Sequence, residues 1–326
     1  MTSRREVLQL GAFGALGLAS MEGNDNDVPT VPLPTQSQLA PANMPVPYAG
    51  VFRRPPVLAP YQTGFDEGDP DRPFARYALT QKLGQAQFVP GLSTTIAGYN
   101  GIFPGPTIRA RQGTRCEVRI RNALPAKGLL HPSAFRTVTH LHGSASLPQY
   151  DGYANDVTAP GDVKNYHYPN WQNARTLGYH DHNHHVTAQN VYAGLAAFYP
   201  LSDAYERAQL PQGEFDVPLM ISDALFNADG SLGYNDRLHS GFYGDIYVGE
   251  NESITVLMQF DTGPEAGGRY MIHCHNLVHE DHDMMVQFAV GDSRVNDPIY
   301  SDPAYWDTMP MNAYPPVYLP GLPAGT

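Results

Sequence analysis

Cys116-Glu117-Val118-Arg119-Ile120-Arg121 is the stretch on which the fold class turns. Successive side chains of a strand point to opposite faces, so this period of two sends Cys116, Val118 and Ile120 to one side of a sheet and the charged residues to the other. Cys116 then reads as a buried core thiol. Outward from it, Phe74-Ala-Arg-Tyr-Ala-Leu-Thr80 and residues 136–142, 163–168, 176–182, 193–200 and 216–222 read as further strands, bounded by Gly, Pro, Asn or Asp. Asn100-Gly-Ile-Phe-Pro-Gly-Pro106 is a turn cluster, and only 202–209 reads as a helix. The pattern predicts an all-β protein built as a sandwich.

The chain has 326 residues, of which 42% are hydrophobic, enough for roughly two domains with real cores. A net charge of −12 offers no basic footprint for nucleic acid or anionic lipid. With 2 cysteines, Cys116 and Cys274, a disulfide framework is excluded. Ser3-Arg4-Arg5-Glu6-Val7-Leu8 followed by an uncharged run to Ser20 has the form of a twin-arginine export signal, over residues 1–21, with an apolar run too short to span a bilayer. Residues 22–73 are rich in proline, which sustains neither a helix nor a central strand, and read as an extended arm. Strands Ser253-Ile-Thr-Val-Leu-Met-Gln-Phe260 and Arg269-Tyr-Met-Ile-His-Cys-His275 mark a second piece over 246–290 that is too short for a whole sandwich. Half a sandwich leaves an apolar face, so this piece is expected to pair with or pack against the first one. Residues 291–326 read as an extended tail.

Of 13 histidines, 10 fall in three clusters, at 140–142, 180–185 and 273–282. Each cluster holds a His-x-His pair: His140 and His142, His180 and His182, His273 and His275. On a strand, residues i and i+2 share a side, so three such strands brought together make a polynuclear metal site. Cys274 lies between the last two histidines and faces the other way, which lets one strand serve two metal centres a few covalent bonds apart. His279 and Met284 are spaced to join Cys274, and a thiolate, an imidazole and a weak axial thioether suit copper.

At this point the sequence resembles the multicopper oxidases, in the branch containing spore-coat laccases and bilirubin oxidases. The stretches that carry the resemblance are Thr139-His-Leu-His-Gly143, Gly178-Tyr-His-Asp-His182 with Asn190-Val-Tyr-Ala-Gly194, and His273-Cys-His-Asn-Leu-Val-His-Glu-Asp-His-Asp-Met-Met285. Gly98-Tyr-Asn-Gly-Ile-Phe-Pro-Gly-Pro-Thr107 is a lesser match. The resemblance implies a cupredoxin-like Greek-key β-sandwich over 74–245, plus a partial second cupredoxin domain over 246–290. It implies copper as cofactor: His140 on the type 2 ion, His142, His180, His182, His273 and His275 on the type 3 pair, and Cys274, His279 and axial Met284 on type 1. Asp151 and Glu280 fall where the family keeps acids that pass protons to oxygen during its reduction. The implied partners are a small reducing substrate, phenolic or similar, and dioxygen, in an exported protein without a membrane span, with self-association into oligomers left open.

One element of the family, a His-Pro-x-His-x-His motif, is absent, since His131-Pro132 is followed by Ser-Ala-Phe-Arg136. It would give one ligand to each centre. Tyr243-Gly-Asp-Ile-Tyr-Val248 runs directly into the final strands, as an internal deletion of a middle domain and half of the last would leave it. Oxidase activity is therefore expected to be impaired unless neighbouring chains or His184, His185 and His282 fill the gaps. The alternatives are a non-catalytic exported copper-binding protein and a dinuclear zinc hydrolase. The second draws on His180-Asp-His-Asn-His-His185, but its motif has Asp where His184 stands, and zinc has no use for an axial Met284.

Overall fold

The computed structural model describes residues 36–46, 50, 52–130, 135–235, 267–273, 277–281, 285–291 and 318–319. In chain order these carry strands β1 (Val57–Leu58), β2 (Gln62–Phe65), β3 (Pro73–Ala86), β4 (Thr94–Tyr99), β5 (Ala110–Arg111), β6 (Arg115–Asn122), β7 (Thr139–His142), β8 (Val163–Tyr168), β9 (Arg175–Asp181), β10 (Ala196–Ser202), β11 (Leu225–Phe226), β12 (Leu232–Gly233), β13 (Gly267–His273), β14 (Met285–Gly291) and β15 (Tyr318–Leu319). Three short α-helices accompany them: α1 (Thr187–Tyr192), α2 (Ala204–Gln209) and α3 (Leu277–Asp281).

Two sheets form the sandwich. In the first, β3 runs parallel to β6 with Tyr77 opposite Val118 and Leu79 opposite Ile120. The strand β8 extends this sheet beyond β6, while β2 and β4 pair with β3. The second sheet has the order β5-β10-β9-β7. As the alternation in β6 requires, Cys116, Val118 and Ile120 are buried, and Tyr77, Leu79, Tyr166 and Tyr168 join them against Leu141, Tyr179, Tyr199 and Leu201 of the facing sheet. Burying each large apolar side chain contributes about 1.5–3 kcal/mol, so this shared layer holds the two sheets together.

The proline-rich stretch is tied into the body. Its β2 pairs with β3, and β1 pairs with β15 of the tail through Val57–Leu319 and Leu58–Tyr318. Among the described residues of the C-terminal piece, β13 and β14 form a two-stranded sheet of their own, and Leu277 sits in a small apolar cluster with Ala188, Val191 and Ala196 of the first sandwich.

Two expectations need correction. Residues 216–222 form no strand: Pro218 lacks an N–H to donate, and Leu219 and Ile221 are 69% and 93% exposed, so no sheet has taken the segment up. The segment 187–192, which carried no strong helical periodicity, is helix α1. The expected helix near 202–209 is α2, capped by the Asp203 side chain accepting from Glu206 N at 2.7 Å. The strand expected at 253–260 lies outside the described residues, and β13 is described only as far as His273.

Candidate metal centre

The strands β7 and β9 lie antiparallel, with His140 opposite His180 and Leu141 opposite Tyr179. Leu141 and Tyr179 enter the core, so the pleat turns His140, His142 and His180 to the other side of the sheet together. A polar contact behind them fixes β7: Tyr166 Oη accepts from Thr139 N at 2.9 Å, and the Thr139 hydroxyl lies 3.0 Å from that of Tyr99.

His140, His142 and His180 bring their ligand nitrogens within 4.8 Å of one another, and His182, His273 and Glu280 do the same beside them. The two groups adjoin, since the ring centroids of His140 and His182 are 5.0 Å apart. His182 lies just past β9, yet its backbone N–H still donates to Val138 O at 2.9 Å. Its Nε2 is 3.0 Å from Nε2 of His273, and the Glu280 carboxylate reaches both rings, at 3.2 Å to His182 Nε2 and 3.1 Å to His273 Nδ1.

Tautomers are set by backbone carbonyls. His140 Nδ1 donates to Asp151 O, and His180 Nδ1 donates to Asp181 O at 2.7 Å, so each ring keeps its lone pair on Nε2, the atom left to face a metal. Burial, reinforced by the charges of His140, His273 and His180, holds His182 well below the ordinary histidine range, which keeps the ring neutral as a ligand must be. The donor set therefore fits a metal that favours imidazole, such as copper.

Asp151 lies in the turn after Tyr150, its carboxylate 3.6 Å from His140 Nδ1. Burial pushes it up to about 7, with the His273 charge pulling it back, so a carboxyl group beside the histidines can hold a proton near neutrality. Gly152 makes this approach possible. It has φ +85, and a Cβ there would stand 2.4 Å from Thr139 O and 2.5 Å from His140 Cα. Glu280 is wholly buried, on α3.

Cys274, His275 and Met284 lie outside the described residues, and of His279 only the backbone position in α3 is described. Among the described residues, His184 and His185 join neither donor group; their rings are tilted against each other with centroids 3.7 Å apart, and His185 Nδ1 contacts Asp281 O at 3.0 Å. That arrangement does not build the zinc-hydrolase sequence of ligands.

Two acids escaped sequence reasoning. Asp181, between the histidines of the second pair, accepts from Val138 N at 2.9 Å, Asn183 N at 3.2 Å and Asn190 Nδ2 at 2.9 Å. Asp281, next to Glu280, accepts from Thr187 N at 2.9 Å and Ala188 N at 2.7 Å. Each is the immediate neighbour of a clustered residue and points away from the cluster, which is the signal that could have found them.

Fold and site together describe a β-sandwich with two adjoining imidazole-rich groups suited to hold metal ions. Residues 81–204 match one multicopper oxidase family model and residues 245–294 a second, together just over half of the chain. The chain belongs to the multicopper oxidase family, whose members use copper. It is 40% identical over 174 residues to the bilirubin oxidase of Albifimbria verrucaria, covering 52% of this chain and 29% of that protein. It is 34% identical over 275 residues to a laccase of Haloferax volcanii, covering 76% of this chain and 44% of the relative. The chain thus spans less than half the length of either. A multicopper oxidase from Campylobacter jejuni described as a metallo-oxidase superposes with a TM-score of 0.51 at 23% identity, over 66% of this chain and 42% of that one, which supports the fold.

Proposed function

We propose that this chain is a copper-dependent oxidoreductase of the laccase type, acting on a phenolic or similar small reducing substrate and on dioxygen. The observation that carries the reading is the convergence of five imidazoles, His140, His142, His180, His182 and His273, from three separate stretches of sequence. Copper held there would relay electrons from the donor to dioxygen, which leaves as water. His140 and His180 present Nε2, His182 is held neutral, and His142 and His273 complete the two donor groups. Asp151 and Glu280 supply carboxyl groups at the edge of the cluster, where four-electron reduction of dioxygen needs four protons. Cys274, His279 and Met284 would hold the copper ion that accepts electrons from the donor, with Cys274 adjacent to His273.

The absence of a His-Pro-x-His-x-His element from the sequence favours weak turnover, since each centre lacks one imidazole. It also supports a second reading, a protein that binds copper without catalysis. Oxygen uptake by the copper-loaded chain with a generic phenol, compared with Cys274→Ser, separates the two. Slow uptake abolished by the substitution supports an impaired oxidase; copper bound with no uptake supports the second reading. Robust uptake lost in Cys274→Ser would show that the missing ligands come from elsewhere and would overturn the impairment.

The reading includes export through the twin-arginine-like residues 1–21, and the domain limits 74–245 and 246–290 given above. No helix among the described residues is long and apolar enough to cross a membrane. A reporter fused to residues 1–21 and followed in a strain without twin-arginine export tests the first. Reporter exported equally in that strain would reject it.

A further inference from the structure

We propose that Asp281 is a positioning residue, a clasp that seats the C-terminal donors against those of the first sandwich by capping helix α1 from another part of the chain. This rests on the reading of the two donor groups as a copper site. The N-cap position of α1 is Val186, whose side chain can accept no hydrogen bond, so the first N–H groups of the helix need a partner from elsewhere. Asp281 provides it with both carboxylate oxygens: Oδ1 accepts from Thr187 N at 2.9 Å and Oδ2 from Ala188 N at 2.7 Å. An acidic group at a helix N-terminus is favoured by the backbone dipoles as well.

The geometry links this cap to the cluster. Neighbouring side chains on a helix diverge by about 100°. Asp281 therefore grips α1 while Glu280, one residue earlier on α3, turns to His182 and His273. Farther along α1, Asn190 donates to Asp181 between His180 and His182, which ties the helix to the second sheet. One short helix is thus bolted by an aspartate to each histidine-bearing segment. The bolt matters more here than in a complete sandwich, because β13 and β14 pair only with each other among the described residues.

The test uses the full chain with Asp281→Ala and Asp281→Asn. Asparagine keeps the size and one acceptor oxygen, so it should rescue part of the effect. In metal-free protein, amide exchange at Thr187 and Ala188 should speed up by about tenfold in Asp281→Ala and by less in Asp281→Asn. In copper titrations, affinity at the His182–His273–Glu280 group should fall about 10–100-fold, while the His140–His142–His180 group holds its ion and the β-sheet circular dichroism is unchanged. Loss of both ions together with the sheet signal would mean general unfolding and would overturn a positioning role. So would wild-type exchange at Thr187 and Ala188, or faster exchange with copper affinity unchanged. Should the wild type bind no copper at all, the copper reading fails and exchange alone decides whether the clasp exists.

Discussion

Nε2 of His182 and Nε2 of His273 stand 3.0 Å apart although 91 residues separate them in sequence. Two imidazole rings can meet this way by sharing a proton or by facing one cation, and metal–imidazole bonds of about 2.0 Å accommodate the second. This contact joins the sandwich to the C-terminal piece at the point where the chemistry is placed.

His182→Ala should therefore remove copper from the second donor group while sparing the first. Loss of an outer partner costs about 10–100-fold in affinity, so loss of the ring itself should cost about 100-fold or more. Copper per chain after dialysis, measured with His142→Ala alongside, checks this. Equal losses in both groups would refute their separate identities.

Gly152→Ala should destabilise the chain by about 2–4 kcal/mol, since it combines a left-handed backbone with a clash against the backbone of β7 that no side-chain rotation relieves. Urea denaturation of metal-free protein measures it. A cost near zero would mean that the turn carrying Asp151 does not rest on β7.

Asp181→Asn should cost about 1–3 kcal/mol, because the amide would turn an N–H toward groups that are already donors. The same variant should loosen His180 and His182 and lower copper retention. Unchanged stability would contradict the three hydrogen bonds assigned to this carboxylate.

Cys116 is buried and its thiol is pushed from about 9 up to about 11, chiefly by burial. The native protein should thus leave Cys116 unmodified by a thiol reagent at pH 8, when denatured protein reacts. The sign of the linked effect follows: between about 9 and 11 the unfolded chain loses this proton and the folded one keeps it, so stability falls as pH rises through that window. Rapid labelling of Cys116 in the native Cys274→Ser chain would count against its place in the core.

Stripping metal with a chelator should leave the sandwich folded, because its central layer of Tyr77, Leu79, Val118, Ile120 and Tyr179 contains no donor residue. Circular dichroism should keep its β signature, with a lower melting temperature because a ligand of the folded state has been removed. Collapse of the signal would show that the imidazole cluster holds the sheets together.

The sandwich was legible where burial is one-sided. Val118 and Ile120 betrayed β6 because Glu117 and Arg119 flank them, and His140-Leu-His142 betrayed β7 for the same reason. Residues 216–222 misled because Val217, Leu219, Met220 and Ile221 make a short apolar run bounded by Asp216 and Ser222, whereas sheet formation needs an unpaired edge to join. Helix α1 was hidden because its six residues are too few to show a period, and its cap comes from Asp281, 94 residues beyond Thr187. The grouping of His140, His142, His180, His182 and His273 could be read from the His-x-His spacing. The acids that seat them could not, since their partners are backbone N–H groups that every sequence possesses.

The split of the donors between residues 140–182 and 273–280 also has a consequence in time. A chain made from its N-terminus completes β3 to β10, with four of the five imidazoles already present, before His273 and Glu280 exist. Until they arrive, an ion at the nascent cluster meets only half a cage. Completion of the second donor group is thus the last step in assembling the cluster, and a chain stalled or cut before residue 273 would be a sandwich that keeps His182 without His273 or Glu280.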